Sequence, residues 1–162
     1  MKSATDFEQA LLLLARHGVE FIVVGGLAAV AHGAPIVTLD LDVVHRRTPE
    51  NIQRLLMAIS DLKAVYVNDR RNLSPQESHL AGPGHQLLDT RLGRIDMLGE
   101  LGAGMDFDAL ALDSVEVDLF GQSTRIISLE RLIAIKQTLT RPKDQLMLLQ
   151  LLALRSELDR QK

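Results

Sequence analysis

A short apolar segment that ends in two glycines is the feature that most restricts how this chain can fold. Residues 20–24 read Glu-Phe-Ile-Val-Val, and Gly25 and Gly26 follow directly, before an alanine-rich segment that extends to His32. A short continuous apolar run is typical of a buried strand, and paired glycines indicate a tight turn. Alanine favours a helix. The sequence therefore predicts a strand, a sharp turn and a helix within residues 20–32.

The other elements follow from the same kinds of pattern. Thr5, with Glu8 three residues later, predicts a capping box at the start of a first helix. Residues 68–85 are polar and rich in Pro and Gly, which predicts mainly loop. One α/β domain over residues 1–162 accounts for the whole pattern. Periodicity and turn residues predict, in chain order, a strand at 39–44, a helix at 49–63, strands at 87–90, 94–98, 115–119 and 124–127, and helices at 129–139 and 142–158.

Composition excludes several classes of protein. The 162 residues include no cysteine, so disulfides, cysteine nucleophiles and thiolate zinc sites are absent. Lys and Arg number 18 against 21 Asp and Glu, and aromatic residues make up 3%. A dedicated nucleic-acid-binding protein usually has a basic excess or aromatic side chains for base stacking, so we do not expect that role.

No apolar run approaches the ~20 residues of a membrane span. The N-terminus also lacks the layout of a signal peptide, so we expect a soluble, cytoplasmic protein with no membrane association.

Two carboxylates on one predicted strand are the main candidates for chemistry. Asp40 and Asp42 are two residues apart, so both project from the same face. Asp96 supplies a third carboxylate on the strand at 94–98. If the two strands are neighbours, the three could hold two divalent cations about 4 Å apart, as in phosphoryl displacement. Oxygen ligands of this kind suit Mg²⁺ or Mn²⁺. The alternative is that the Asp pair is the wet face of a half-exposed strand.

Three other features have both a functional and a structural interpretation. The turn at Gly25 and Gly26 lets backbone N–H groups approach an anionic ligand, or it is only a tight corner. Thr38 shares a face with the Asp pair and is a candidate for orienting it, or it is an ordinary strand residue. Lys136 is placed to reach a phosphate or a base, or it lays its stem over the core. Asp144, in the first turn of the last predicted helix, is interpreted as favouring the helix dipole.

The ordered set of these segments resembles the signature of the nucleotidyltransferase superfamily related to DNA polymerase beta. The resemblance is strongest to minimal bacterial and archaeal members, several of which act in toxin–antitoxin or abortive-infection pairs. The later segments resemble the third-carboxylate strand of that superfamily and the C-terminal helical pair of its AbiEii-like subgroup. The matching segments are Val-Val-Gly-Gly-Leu-Ala at 23–28, His-Gly at 32–33, Thr-Leu-Asp-Leu-Asp at 38–42, Gly-Arg-Ile-Asp at 93–96, and residues 129–136 and 141–144.

The resemblance implies a fold and an activity. The fold is a small mixed central sheet flanked by helices, with a C-terminal helical pair. The activity is transfer of a nucleoside monophosphate from an NTP to an acceptor hydroxyl on a protein, a tRNA end or a small molecule such as an antibiotic. The resemblance implies a nucleic-acid partner only as an acceptor of this kind. A cognate protein partner or a homodimer is also implied.

The resemblance also implies a role for each matched residue. Gly25 and Gly26 lie against the nucleotide phosphates, with Thr38 and Lys136 as further nucleotide-binding candidates. The metal ligands for Mg²⁺ or Mn²⁺ are Asp40, Asp42 and Asp96. Asp96 also helps to activate the acceptor hydroxyl as it attacks the α-phosphate.

The chain departs from the superfamily pattern at two places. Leu27 stands where many members have a serine that contacts a phosphate, and Ile36 lies where a basic residue is often found. We consider Arg46, Arg47 and Arg94 as replacements for the missing positive charge. These departures, together with the leucine-rich C-terminal helix, motivate an alternative function. In it the chain is a catalytically inactive binding or regulatory module that acts through a partner protein. We interpret the leucines of that helix as core residues, with a partner or dimer surface as the alternative.

Overall fold

The computed structural model describes residues 3–102 and 104–162. Within these ranges helices and strands alternate as far as the strand that ends at Thr90, and two β-hairpins and a pair of helices then make up most of the rest. In chain order they are α1 (Phe7–Arg16), β1 (Phe21–Val24), α2 (Gly25–His32), β2 (Leu41–His45), α3 (Pro49–Asp61), β3 (Val65–Tyr66), α4 (Glu77–Ala81), β4 (His85–Thr90), β5 (Gly93–Leu98), α5 (Phe107–Ala111), β6 (Ser114–Leu119), β7 (Gln122–Ile127), α6 (Leu129–Gln137) and α7 (Pro142–Arg160).

The strands of the described ranges form one mixed sheet in the order β3-β4-β5-β2-β1-β7-β6. The central strand β2 runs antiparallel to β1 and parallel to β5, and β1 runs parallel to β7. The remaining pairs are antiparallel. A mixed sheet flanked by helices is the fold class that the sequence predicts, and the prediction is confirmed.

The core is aliphatic and lies on both faces of the central strands. Ile22 and Val23 point to opposite faces of β1, and both are fully buried. Ile95 and Met97 are fully buried on β5. A strand buried on both faces cannot alternate between polar and apolar residues, which is why residues 20–24 form a continuous apolar run.

The start of α1 differs from the predicted capping box. Asp6 is the N-cap, and its side chain accepts a hydrogen bond from the backbone N–H of Gln9 at 3.1 Å. Thr5 is buried and bonded to the sheet instead. Its hydroxyl donates to the carbonyl of Arg94 at 2.8 Å, and its backbone N–H donates to the carbonyl of Leu39 at 2.8 Å. The capping box at Thr5 was wrong because a long-range partner competes for its hydroxyl.

Two other local predictions need correction. Strand β2 begins at Leu41, so Asp40 precedes the strand rather than lying within it. The segment at 68–85 contains the short helix α4, and a further short helix, α5, was not predicted. Both helices have only five residues, too few to show a periodic apolar pattern.

The C-terminal helical pair is confirmed as α6 and α7, but α7 is less buried than its leucines suggest. Of its 19 residues, only Asp144 and Leu151 are buried. The interpretation of the leucines as core is confirmed for Leu151 and for the partly buried Leu148, Leu152 and Leu154, which pack against the core. It was wrong for Leu146, which is 60% exposed, and for Leu149, which is 65% exposed. In the ranges described, no helix combines the length and the apolar character needed to cross a membrane.

Candidate active site

Asp42 and Asp96 are brought together at the centre of the sheet. Asp42 on β2 lies directly opposite Asp96 on the parallel strand β5 and opposite Val24 at the end of β1. Residues that are opposite in register project to the same face, so the two carboxyl groups share it. Asp40 lies two residues before Asp42. We call Asp40, Asp42 and Asp96 the carboxylate cluster.

Burial and the neighbouring carboxylates raise the pKa of Asp42. Burial, the neighbouring Asp96 carboxylate and its hydrogen bond, and the charge of Asp40 together raise the pKa of Asp42 to about 7, against the opposing effect of Arg94. A carboxyl group with this pKa is half protonated near neutral pH. The cluster is therefore a place where a cation would be strongly favoured.

Arg94 supplies a positive charge to the cluster. It lies two residues before Asp96 on β5, on the same face, and its Nε donates to Asp96 Oδ1 at 2.7 Å. The Arg94 side chain is 20% exposed and that of Asp96 is 13% exposed, so water screens the pair little. Of the three arginines considered as sources of phosphate charge, Arg94 is the one that reaches the site. Arg46 pairs with Glu20 and Asp108, and Arg47 pairs with Glu100.

The glycine turn packs its backbone directly against the site. Gly25 has a φ of +66°, and a Cβ built on it would lie 2.4 Å from Asp42 Oδ2. A Cβ on Gly26 would lie 2.4 Å from Thr38 Oγ1. Gly25 also begins α2, so the N-terminal N–H groups of this helix face the region beside Asp42. Any side chain at these two positions would displace Asp42 or Thr38.

An ion-pair cluster between α6 and α7 forms the second side of the site. Asp144 is buried and accepts hydrogen bonds from Lys136 Nζ and from Arg141 Nε, both at 2.8 Å. The hydrogen bond from Lys136 lowers the pKa of Asp144, against the opposing effect of burial, and Arg141 adds to the shift. Asp144 therefore holds two cations in place, which is a larger role than the predicted interaction with the helix dipole.

Two cavities meet at Asp42, whereas Asp96 lines neither of them. The glycine-turn cavity has a volume of about 420 Å³ and is lined by Gly26, Thr38, Asp40 and Lys143 among others. The leucine-lined cavity has a volume of about 640 Å³, and its apolar wall consists of Leu98, Leu101, Leu132, Ile135 and Leu139. Both are also lined by Gly25, Asp42, Lys136 and Arg141. The glycine-turn cavity is thus lined by charged residues of both signs, the leucine-lined cavity is mostly apolar, and Asp42 lies between them.

Two solved structures share this architecture. The lincosamide antibiotic adenylyltransferase LnuA, crystallised with lincomycin bound, matches with a TM-score of 0.64 and 13% identity, over 94% of this chain and 99% of that one. TM1012 from Thermotoga maritima, assigned as a nucleotidyltransferase, matches with a TM-score of 0.53 and 17% identity, over 93% of this chain and 96% of that one. The chain has the nucleotidyltransferase fold. No protein-family model and no curated protein matches the sequence, and the AbiEii-like subgroup stays a prediction.

On the nucleotidyltransferase fold, the carboxylate cluster fits a divalent cation in the chemistry of its donors. Carboxylate oxygens are the ligands that Mg²⁺ and Mn²⁺ prefer, and a bound cation would relieve the repulsion between Asp42 and Asp96. As the side chains stand in residues 3–102 and 104–162, no group of three or more acidic, histidine or cysteine residues is arranged to hold a metal ion. One reason is that Asp96 Oδ1 accepts a hydrogen bond from Arg94. Metal binding by the cluster stays a prediction.

Sequence reasoning missed the cations at the start of α7. Arg141 is the N-cap of α7 and Lys143 lies in its first turn. Positive charges are disfavoured at the N-terminus of a helix, because the helix dipole is positive there. Two positively charged residues at the start of a helix are therefore the sequence signal that could have identified them as site residues. It indicates that these side chains serve a nearby anion, which for Arg141 is Asp144.

Proposed function

We propose that the protein is a metal-dependent nucleotidyltransferase that transfers a nucleoside monophosphate from an NTP to a hydroxyl group of a small molecule. The observation that carries the proposal is the position of Asp42 between a cavity lined by charged residues and a mostly apolar one. The first offers Lys136, Arg141 and Lys143 to a triphosphate, and the second has the size of a small-molecule site. The nucleotidyltransferase fold supports the reaction class.

The donor triphosphate is assigned to the glycine-turn cavity. Backbone N–H groups at the start of α2 bind phosphate oxygens there, helped by the positive end of the helix dipole. Lys136 has three N–H donors and gives one to Asp144, so two remain for the phosphates. Arg141 and Lys143 add positive charge at the same cavity. These cations take over the role that a serine at the Leu27 position plays in many superfamily members.

The proposed reaction is a displacement at the α-phosphorus. The acceptor oxygen forms a bond to the α-phosphorus as the bond to the bridging oxygen of pyrophosphate breaks, and pyrophosphate leaves with that electron pair. The hydroxyl proton passes to the Asp96 carboxylate. Asp40, Asp42 and Asp96 would hold a divalent cation, which would neutralise charge on the triphosphate and the acceptor oxygen. Positioning and electrostatic stabilisation then account for the catalysis.

A small organic acceptor is favoured by the leucine-lined cavity. Its volume of about 640 Å³ lies within the range typical of small-molecule sites. LnuA, which has the same fold, is an adenylyltransferase for a lincosamide antibiotic. A tRNA acceptor is less compatible with the net charge of −3.

The exposed face of α7 favours one alternative function. Leu146 and Leu149 lie three residues apart on the solvent side of the helix. A face of this kind is compatible with a partner protein, as in a toxin–antitoxin pair, and with a chain that binds without turnover. In that case the carboxylate cluster would have no role in activity.

A nucleotide-transfer assay separates the two functions. Purified protein is incubated with each α-³²P-labelled NTP, Mg²⁺ or Mn²⁺, and a panel of hydroxylated antibiotics, and labelled product and pyrophosphate are measured. Asp42→Asn is the test variant, and Asp159→Asn, at the exposed end of α7, is the matched control. We expect product with wild type and the control but not with Asp42→Asn. Absence of metal-dependent NTP binding by the wild type, in a parallel thermal-shift titration, would favour the binding module.

A further inference from the structure

Arg94 is the arginine that lies beside the carboxylate cluster. Its guanidinium contacts Asp96 directly, and its charge also acts on Asp40 and Asp42. Three neighbouring carboxylates, of which Asp96 is buried, require positive charge, and Arg94 is the arginine that provides it. A divalent cation ligated by the Asp96 carboxylate would lie close to the Arg94 guanidinium that this carboxylate already accepts from, and the two positive charges would repel each other.

Arg94 also has a second acidic neighbour outside the cluster. Asp89 on β4 lies directly opposite Arg94 on the antiparallel strand β5, so the two side chains share a face. Asp89 is exposed, and its charge already acts on Arg94. The guanidinium can therefore leave Asp96 and stay paired by turning toward β4. The backbone of Arg94 need not move, and its carbonyl stays bonded to Thr5.

We infer that Arg94 is a built-in counter-ion of the carboxylate cluster, which holds Asp96 in the metal-free protein and is displaced to the β4 side when a divalent cation binds. This inference rests on the proposed function. Arg94 then sets how tightly the cation binds, because displacement of the guanidinium opposes binding. The same arrangement stabilises the metal-free protein, in which the three carboxylates would otherwise repel one another.

The test compares Mn²⁺ affinity in two arginine variants. Arg94→Gln removes the counter-ion, whereas Arg91→Gln removes an equal charge from the turn of the same hairpin, where Arg91 pairs with Asp61 at 3.5 Å. Free Mn²⁺ is measured by electron paramagnetic resonance without nucleotide. We expect the Mn²⁺ Kd of Arg94→Gln to fall about tenfold, because a positive charge that repels the cation is removed. Arg91→Gln should bind as the wild type does.

A second measurement uses the wild-type chain and does not depend on how well a variant folds. In protein labelled with ¹⁵N-arginine, the Nε–H signal of Arg94, assigned by its loss in Arg94→Lys, is followed by NMR during a titration with Mg²⁺. Displacement from Asp96 predicts a saturable shift of this signal, with the signal of Arg91 unchanged.

The outcomes distinguish the inference from the proposed function. Equal Mn²⁺ affinity of wild type and Arg94→Gln, or an Arg94 signal that does not move while Mg²⁺ binds, overturns the inference alone. Tighter binding by Arg91→Gln to the same extent also overturns it, since the effect would then be one of net charge. Failure of wild type and Arg94→Gln to bind either cation, with or without NTP, overturns the proposed function as well.

Discussion

Asp42 and Asp96 lie directly opposite each other on the parallel strands β2 and β5, and this register brings two carboxyl groups to one face of the sheet. Neither strand alone shows that the two residues meet, because more than 50 residues separate them in the chain. Burial and the neighbouring Asp96 carboxylate raise the pKa of Asp42, and the like charges create the need for a cation.

Removal of one carboxylate should abolish transfer without unfolding the protein. We expect Asp42→Asn to lower kcat by about 10³-fold, because a ligand of the cation that would neutralise the reacting phosphate is lost. Its melting temperature in EDTA at pH 8 should equal or exceed that of wild type, since a like-charge repulsion is relieved. Kinetics and calorimetry on the same preparation check both results. A fully active Asp42→Asn would contradict the assigned role.

The stability of the metal-free protein should depend on pH through Asp42. Its pKa is raised from 3.8 to about 7 on folding, so between these values the folded state binds more protons than the unfolded state. The contribution of Asp42 to the free energy of unfolding is therefore largest below pH 4. It falls as pH rises toward 7, by roughly 1 kcal/mol per pH unit. Urea unfolding in EDTA between pH 5 and pH 8 measures the slope. Asp42→Asn should flatten it.

A side chain at the first glycine of the turn should damage the site more than a similar change elsewhere. Gly25→Ala combines a positive φ with a Cβ 2.4 Å from Asp42 Oδ2. Gly121→Ala is the control, because Gly121 has a φ of +83° and nothing within 4 Å of its Cβ position. We expect a loss of about 1 kcal/mol for Gly121→Ala from backbone strain, and about 2 kcal/mol more for Gly25→Ala from overpacking.

Only Gly25→Ala should also weaken the thermal shift produced by NTP with Mg²⁺. Equal losses of stability in the two variants would show that Asp42 yields to the new methyl group without strain.

The buried ion pair at the helical hairpin should serve both stability and nucleotide binding. Asp144→Asn weakens the contacts to Lys136 and Arg141, and we expect the free energy of unfolding to fall by about 2 kcal/mol. Lys136→Met should raise the KM for NTP more than it lowers kcat, because a phosphate contact is lost. Arg155→Met breaks the exposed pair with Glu130 between the same two helices. It should change the free energy of unfolding by less than about 0.5 kcal/mol and leave KM unaltered.

A reversed order, with Arg155→Met more harmful than Lys136→Met, would assign nucleotide binding to another part of α6 and α7. Steady-state kinetics and chemical unfolding of the three variants distinguish these cases.

Local patterns were sufficient for most elements of the fold. The strand and helix around Gly25, the helix that begins after Thr48, and the hairpins β4–β5 and β6–β7 depend on turn residues and periodicity within about ten residues. Thr48 does cap α3, by accepting from the N–H of Asn51. Predictions were wrong where a distant partner competed with the local pattern, as at Thr5, whose hydroxyl bonds to the Arg94 carbonyl.

The amino-acid sequence by itself determined which chemistry the chain can carry: paired aspartates, a glycine turn and no cysteine. It also determined the fold class, because apolar periodicity and glycine positions act over short distances. Only the tertiary structure decided that Asp42 faces Asp96, that Arg94 holds Asp96, and that Asp144 joins Lys136 to Arg141. These contacts depend on strand order, register and helix packing, which are set by burial of the whole core rather than by neighbouring residues. The sequence therefore determines which charged residues the site contains, whereas the contacts that pair these charges exist only in the folded protein.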